Sequence, residues 1–296
     1  YGEVISPGYA ISTMQDPIRT AKYLQALIAD IRKAQERRPG QRVHILYPGP
    51  GPNAPFLILA TALFSAGEIG FSCIEYMEQS YSAGKHIVAA LGLEDYVYEY
   101  RHGDAVLYGH KGEPVDVLIA EIMQQGLRGE PQFAIFKNLV PQLAEDATVI
   151  PRAVELRAGL CNPHKEYSHV KGYPLPAAAV ALRQDLGEIL TLSKETLMER
   201  YKREPKRYER AQEWDVPDFK IPPALGDALA FTVYTFIRLN DELEIAEGES
   251  GLSMPLVIHD IPNVQPGDEI RLQFKLGATP GLVYQHHRPR MSILNG

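Results

Sequence analysis

Cysteine is almost missing from this chain, with only Cys73 and Cys161 in 296 residues. That excludes a fold held by a disulfide framework and fits a reducing cytoplasm. Long apolar runs are missing as well, and none approaches the roughly 18–20 residues that span a bilayer, so no membrane partner is expected. The opening Tyr1-Gly2-Glu3-Val4 lacks the basic-then-apolar order of a secretion signal. Excess positive charge is absent: the formal net charge is −7, which argues against a nucleic-acid backbone as partner and suits a cationic small molecule. There are no repeats and no low-complexity tracts. Tryptophan occurs once, and Trp214 reads as the anchor of a packed helix end. The adjacent pair His286-His287 would point to different sides of a strand and has no nearby cysteine partners, so no metal is expected.

What is present is an ordinary globular composition, 45% hydrophobic and 23% charged, on a chain long enough to bury a sizeable core. Three parts follow one another. Residues 1–38 form an N-terminal helical segment, with Ile18, Tyr23, Leu24, Leu27, Ile28 and Ile31 as its apolar stripe and Arg37-Arg38-Pro39-Gly40 as its stop. Residues 39–151 alternate strand and helix, which predicts a largely parallel α/β sheet. Residues 152–296 carry short strands (233–239, 254–259, 269–274, 281–284) divided by Asn/Asp/Gly/Pro turns, which predicts an antiparallel, barrel-like domain. A charged stretch, 183–213, reads as a helical insertion into it.

Chemistry concentrates in the middle part. Gln41 to Asn53 is an apolar strand running into a Gly/Pro loop, and Phe56 to Phe64 reads as the helix that follows. Gly49 and Gly51 permit positive φ or close approach of a ligand. The next strand, Gly70 to Glu75, ends in an acid placed to accept hydrogen bonds from ribose hydroxyls. A nicotinamide enzyme would prefer a third spaced glycine, where Ala54 stands. Pro50, Pro52 and Pro55 contribute no N–H donors. That poverty of donors favours an adenosyl ligand without pyrophosphate, such as S-adenosylmethionine. After the strand Tyr96–Tyr100, Asp104 and Ala105 are placed either to contact an adenine or simply to make a turn.

The strand Val115–Ile119 leads into a loop with two acids, Glu121 and Glu130. A carboxylate at the C-terminal end of such a strand sits where open α/β sheets bind ligands. Two of them suit a planar cation with several N–H donors, a guanidinium above all. Solvated loop charge is the plain alternative. His164 and His169 are weaker candidates for lining the substrate pocket, and Tyr9, Tyr23 and Tyr76 are placed either to pack on the cofactor or simply to fill the core.

Four segments together resemble the protein arginine methyltransferase family of class I S-adenosylmethionine-dependent methyltransferases. Met14 to Tyr23 resembles the family's N-terminal helix motif, and Arg19 matches the arginine that binds the cofactor's carboxylate. Val43 to Gly51 resembles the glycine loop, Ile74-Glu75 the ribose-binding acid, and Glu121 to Glu130 the double-glutamate loop with the same spacing. The resemblance covers roughly residues 10 to 155. It implies a Rossmann-like cofactor domain, a β-barrel-like substrate domain, and a homodimer formed through a helical arm. It also implies methyl transfer from S-adenosylmethionine, with Glu121 and Glu130 as the catalytic pair and Arg19, Gly49, Gly51 and Glu75 on the cofactor. The chain departs from the family at Ile45 (an acid there), at Tyr47 (a glycine there), and at Glu249-Ser250-Gly251, where a Thr-His-Trp loop should fall. The missing loop shifts the expected acceptor from protein arginine towards a small guanidino or amino compound. A hydroxyl or carbon acceptor, and a non-catalytic methyltransferase-like scaffold, stay open.

Overall fold

The computed structural model describes residues 6, 8, 16–164, 183–226, 228–277 and 279–288. The first helix, α1 (Pro17–Arg37), starts where Asp16 accepts a hydrogen bond from the Arg19 N–H at 3.1 Å and Pro17 fills the first turn. Its buried face is Arg19, Tyr23, Ala26, Leu27, Ile31 and Ala34, with Asp30 among them. Ile18, expected in the apolar stripe, is instead 40% exposed. The first turn faces a cavity, and there Arg19 takes the inward position.

The sheet behind α1 is built from β1 (Val43–Pro48), β2 (Ile69–Glu75), β3 (Val97–His102), β4 (Val117–Ile119) and β5 (Thr148–Ile150). Every pairing is parallel, in the order β3-β2-β1-β4-β5. The helices α2 (Pro55–Thr61), α3 (Glu78–Ala90) and α4 (Gln132–Leu139) connect them. All residues of β1, β2 and β4 are buried, as expected of a parallel sheet covered on both faces. This is the Rossmann-like half predicted for 39–151. Strand order reverses between β1 and β4, so the loops after these two strands open a crevice at the switch point.

From β6 (Ala153–Cys161) onward every pairing is antiparallel. β7 (Gln184–Ser193) pairs with β6, which pairs with β10 (Ala230–Arg238), which pairs with β11 (Glu244–Ile245) and β12 (Leu256–Pro262). The helices α5 (Lys194–Arg203) and α6 (Pro205–Arg210) follow β7. A further sheet joins β13 (Glu269–Lys275) to β14 (Gly281–His287), β8 (Glu213–Trp214) and β9 (Phe219–Lys220). Among the described residues these are two open sheets and no closed barrel, a correction to the barrel expected for 152–296.

The helical insertion is shorter than 183–213. Gln184–Ser193 within it are β7, because Ile189, Leu190 and Leu192 are buried in the sheet alongside β6. The helix begins only at the capping box of Ser193 and Thr196. The helical pair lies back on its own chain: Leu197 and Tyr208 are buried, Tyr208 donates to the Lys137 carbonyl at 2.9 Å, and Lys194 reaches three carbonyls at 144–147. Trp214 sits in β8 with Arg200 at 3.9 Å from its ring centroid and Phe133 edge-on at 4.9 Å. No described helix is long and apolar enough to cross a membrane.

Candidate functional site

The crevice at the switch point holds a cavity of about 420 Å³, and all eight residues singled out from the sequence line it: Arg19, Gly49, Gly51, Glu75, Asp104, Ala105, Glu121 and Glu130. They come from five separate stretches of chain. The site is therefore a product of the topology rather than of any one motif.

The glycine loop after β1 is tight. Gly49 has φ +63 and Gly51 φ +67. A Cβ on Gly49 would lie 2.7 Å from the Ile122 side chain, so the loop after β1 and the loop after β4 touch because no side chain stands between them. The Gly49 N–H donates to the Ile74 carbonyl at 2.8 Å, and the Gly51 N–H donates to Glu75 at 3.0 Å. Both glycine donors are thus engaged within the fold, and Pro50 between them and Pro52 after them have none. The loop has no ring of free N–H groups for a pyrophosphate. Tyr47, where the resembled family has glycine, is buried with its ring tilted against Phe56 at 5.6 Å, and Phe56 in turn stacks on Tyr23 at 5.7 Å.

Glu75 is buried at the end of β2, with its second oxygen accepting from the Met77 N–H at 2.8 Å. Burial pushes its carboxyl up from the usual range, opposed by those N–H bonds. A carboxylate has about four acceptor sites, so Glu75, which lines the cavity, keeps acceptor capacity beyond these bonds. Asp104 accepts from the Val106 N–H at 2.8 Å and so closes its own turn, while that turn still lines the cavity.

On the opposite side, Glu121 lies 3.3 Å from the Arg19 guanidinium. Burial raises the Glu121 carboxyl to about 7. Arg19 pulls the other way, and Asp16 adds to the rise. Glu130 is 4% exposed. What places the two acids is a residue that the sequence reading passed over. Gln132, fully buried, accepts from the Ile122 N–H at 3.0 Å and donates to the Ala120 carbonyl at 3.2 Å. It staples the start of the loop to its end. Gly126 donates to Thr235 at 2.8 Å, and Gly129 donates to the Pro280 carbonyl at 2.9 Å, tying the loop's middle and end to the antiparallel half. A polar residue opening an otherwise apolar helix, Gln132-Phe-Ala-Ile-Phe136, was the signal available.

The wall near the expected Thr-His-Trp position is different in kind. Ser250 donates to Asp16 at 2.6 Å, the Gly251 N–H lies 3.3 Å from the same carboxylate, and Gly251 and Leu252 line the cavity. Lys22 pairs with Glu249 and donates to the Glu244 carbonyl at 2.8 Å. Short, small residues docked on the cap of α1 take the place of two bulky rings.

The weaker candidates divide. Tyr76 lines the cavity, whereas Tyr23 is fully buried behind it. His164 is exposed and away from the lining, and Tyr9 and His169 lie outside the described residues. His286 pairs with Asp268 at 2.7 Å, and no cluster among the described residues has the makings of a metal site. Cys73 and Cys161 are buried free thiols. No protein-family model matches the chain, and no curated protein matches it.

Proposed function

We propose that the cavity binds S-adenosylmethionine and that the protein is an N-methyltransferase acting on a guanidino or amino group, more readily of a small molecule than of protein arginine. The observation that carries this reading is the convergence of Arg19, the glycine loop, Glu75 and the two buried glutamates on one cavity at the sheet's switch point. The residues fit the cofactor. Gly49 and Gly51 leave room at the strand end, and Glu75 has acceptor capacity for ribose hydroxyls. The engaged loop donors disfavour a pyrophosphate. Arg19 supplies the cation for the carboxylate of the methionyl end. When bound, the cofactor contributes an electrophilic methyl group.

The protein's own part is position and charge. Glu121 and Glu130 hold the acceptor's N–H donors by paired charge-assisted bonds, orienting one nitrogen. Burial keeps water away and raises Glu121 to about 7, within reach of taking the proton that the acceptor nitrogen loses. A second reading, a non-catalytic scaffold, is favoured by Tyr47, whose buried ring fills the place of the resembled family's first glycine.

Calorimetry separates the two. S-adenosylmethionine or S-adenosylhomocysteine should bind the folded protein, and Arg19→Ala should weaken that by about 1.5–3 kcal/mol, the range for hydrogen bonds to charged groups. Glu121→Gln and Glu130→Gln should each lower methyl transfer by about 2–5 kcal/mol of barrier with cofactor affinity near wild type. No cofactor binding would leave the scaffold; normal transfer by both variants would remove the glutamate clamp.

A further inference from the structure

Six charged side chains line the cavity: the acids Glu75, Asp104, Glu121 and Glu130, and the cations Arg19 and Arg128. The acids at the ends of β2 and β3 bond to backbone N–H groups. Arg19 pairs with Glu121. Arg128 is different. Its side chain is exposed at the cavity, and among the described residues it makes no ion pair and no hydrogen bond.

Its backbone, by contrast, is held on every side. Gly129, with φ +76, carries the chain from Arg128 to Glu130, and the Glu130 N–H donates to the Arg128 carbonyl at 2.9 Å. The Gly129 N–H is anchored on Pro280. Gly281, at the start of β14, comes so close that a Cβ there would lie 3.2 Å from the Arg128 Cβ and 3.3 Å from its Cα. A long cation on a fixed stem therefore stands at the rim, two residues from the buried carboxylate of Glu130. The loop after β4 thus brings two acids and one exposed arginine to the cavity, and such a loop is matched by a molecule with a cation at one end and an anion at the other. Arginine is also the side chain that reads a carboxylate as a bidentate pair.

We infer that the acceptor is a guanidino acid, a small molecule carrying a free carboxylate as well as its guanidinium, and that Arg128 binds that carboxylate and determines specificity. The inference rests on the guanidine-methyltransferase reading above. It goes further by excluding two acceptor types that reading allows: a simple amine or guanidine without an acid, and an arginine side chain within a protein, whose carboxyl is in a peptide bond.

The test is calorimetry with S-adenosylhomocysteine present, using L-arginine and its decarboxylated analogue agmatine as probes. Wild type should hold L-arginine about tenfold to a hundredfold more tightly than agmatine, the size of a charge-assisted bond. Arg128→Gln should bring that ratio near one, and Arg128→Lys should restore much of it, with melting curves showing both variants folded. If wild type binds the two probes equally, or Arg128→Gln keeps the preference, the assignment of Arg128 is overturned while the guanidine reading stands. If a protein that still binds S-adenosylhomocysteine holds neither probe, the guanidine reading falls, and this inference with it.

Discussion

Glu121 joins two opposed demands in one side chain. Held at about 7 by burial against the pull of Arg19, it is half protonated near neutrality, where a free carboxyl would be fully ionised. A clamp for a cation needs the ionised form. Acceptor binding should therefore strengthen as pH rises from 6 to 8, and titration by calorimetry at several pH values checks it. Stability should move the other way. The fold favours the protonated carboxyl more than the unfolded chain does, so its contribution is complete at acid pH, below the ordinary carboxylate range. It is lost as pH rises through about 7. Melting temperatures of Glu121→Gln should show a flatter dependence between pH 5 and 8 than wild type. An equal slope would mean that Glu121 ionises like a solvated residue. The two acids themselves were legible in the sequence because their loop follows an apolar strand. The raised carboxyl of Glu121 was not, since it depends on burial in the fold and on Arg19 and Asp16 arriving from another element.

At the scale of elements, the loop after β4 is shaped by one amide. Gln132 opens α4 and satisfies both the Ile122 N–H and the Ala120 carbonyl. Gln132→Ala should leave those groups unpaired and cost about 1–3 kcal/mol of stability. Transfer should fall further than cofactor affinity, because the glutamate loop loosens while β1 and β2 do not. Hydrogen exchange at 120–124 would register the loosening directly, and unchanged protection there would count against the staple. The element misjudged from sequence, β7, failed for a related reason. Gln184 to Ser193 holds only two charges and merges in sequence with the densely charged run that follows it, and its pairing with β6 makes it a strand. The start of α5 was readable in Ser193-Lys-Glu-Thr196, where the capping pair marks the boundary. The middle of the parallel half was far easier to read: β1, β2 and β4 are fully buried and appear as largely apolar runs.

For the whole molecule, a parallel sheet was implied by alternation, whereas its strand order and the openness of the second half were not. Strand count and turn residues say little about whether an antiparallel sheet returns to meet its own edge. The helical pair α5–α6 bears on assembly. Leu197 and Tyr208 are buried, and Tyr208 and Lys194 bond to carbonyls of α4 and of the 144–147 segment, leaving a charged outer face of Arg203, Arg207 and Arg210 with Glu209. The two-fold dimer implied by the family resemblance would have to form through that charged face. It should therefore weaken with salt, by screening of surface charge. Light scattering at low and high ionic strength distinguishes the outcomes: a monomer at both removes the arm-mediated dimer.

Asp16 caps the helix that carries Arg19 and, with its other oxygen, holds the Ser250–Gly251 wall. Two regions far apart in the chain meet at one carboxylate, and each borders the cavity. A ligand that tightens the start of α1 also steadies the wall, and a ligand resting on the wall steadies α1. Such influence is reciprocal by thermodynamic necessity. The factor by which S-adenosylhomocysteine sharpens binding of the acceptor should equal the factor by which the acceptor sharpens binding of S-adenosylhomocysteine, and in Asp16→Ala that shared factor should shrink towards one.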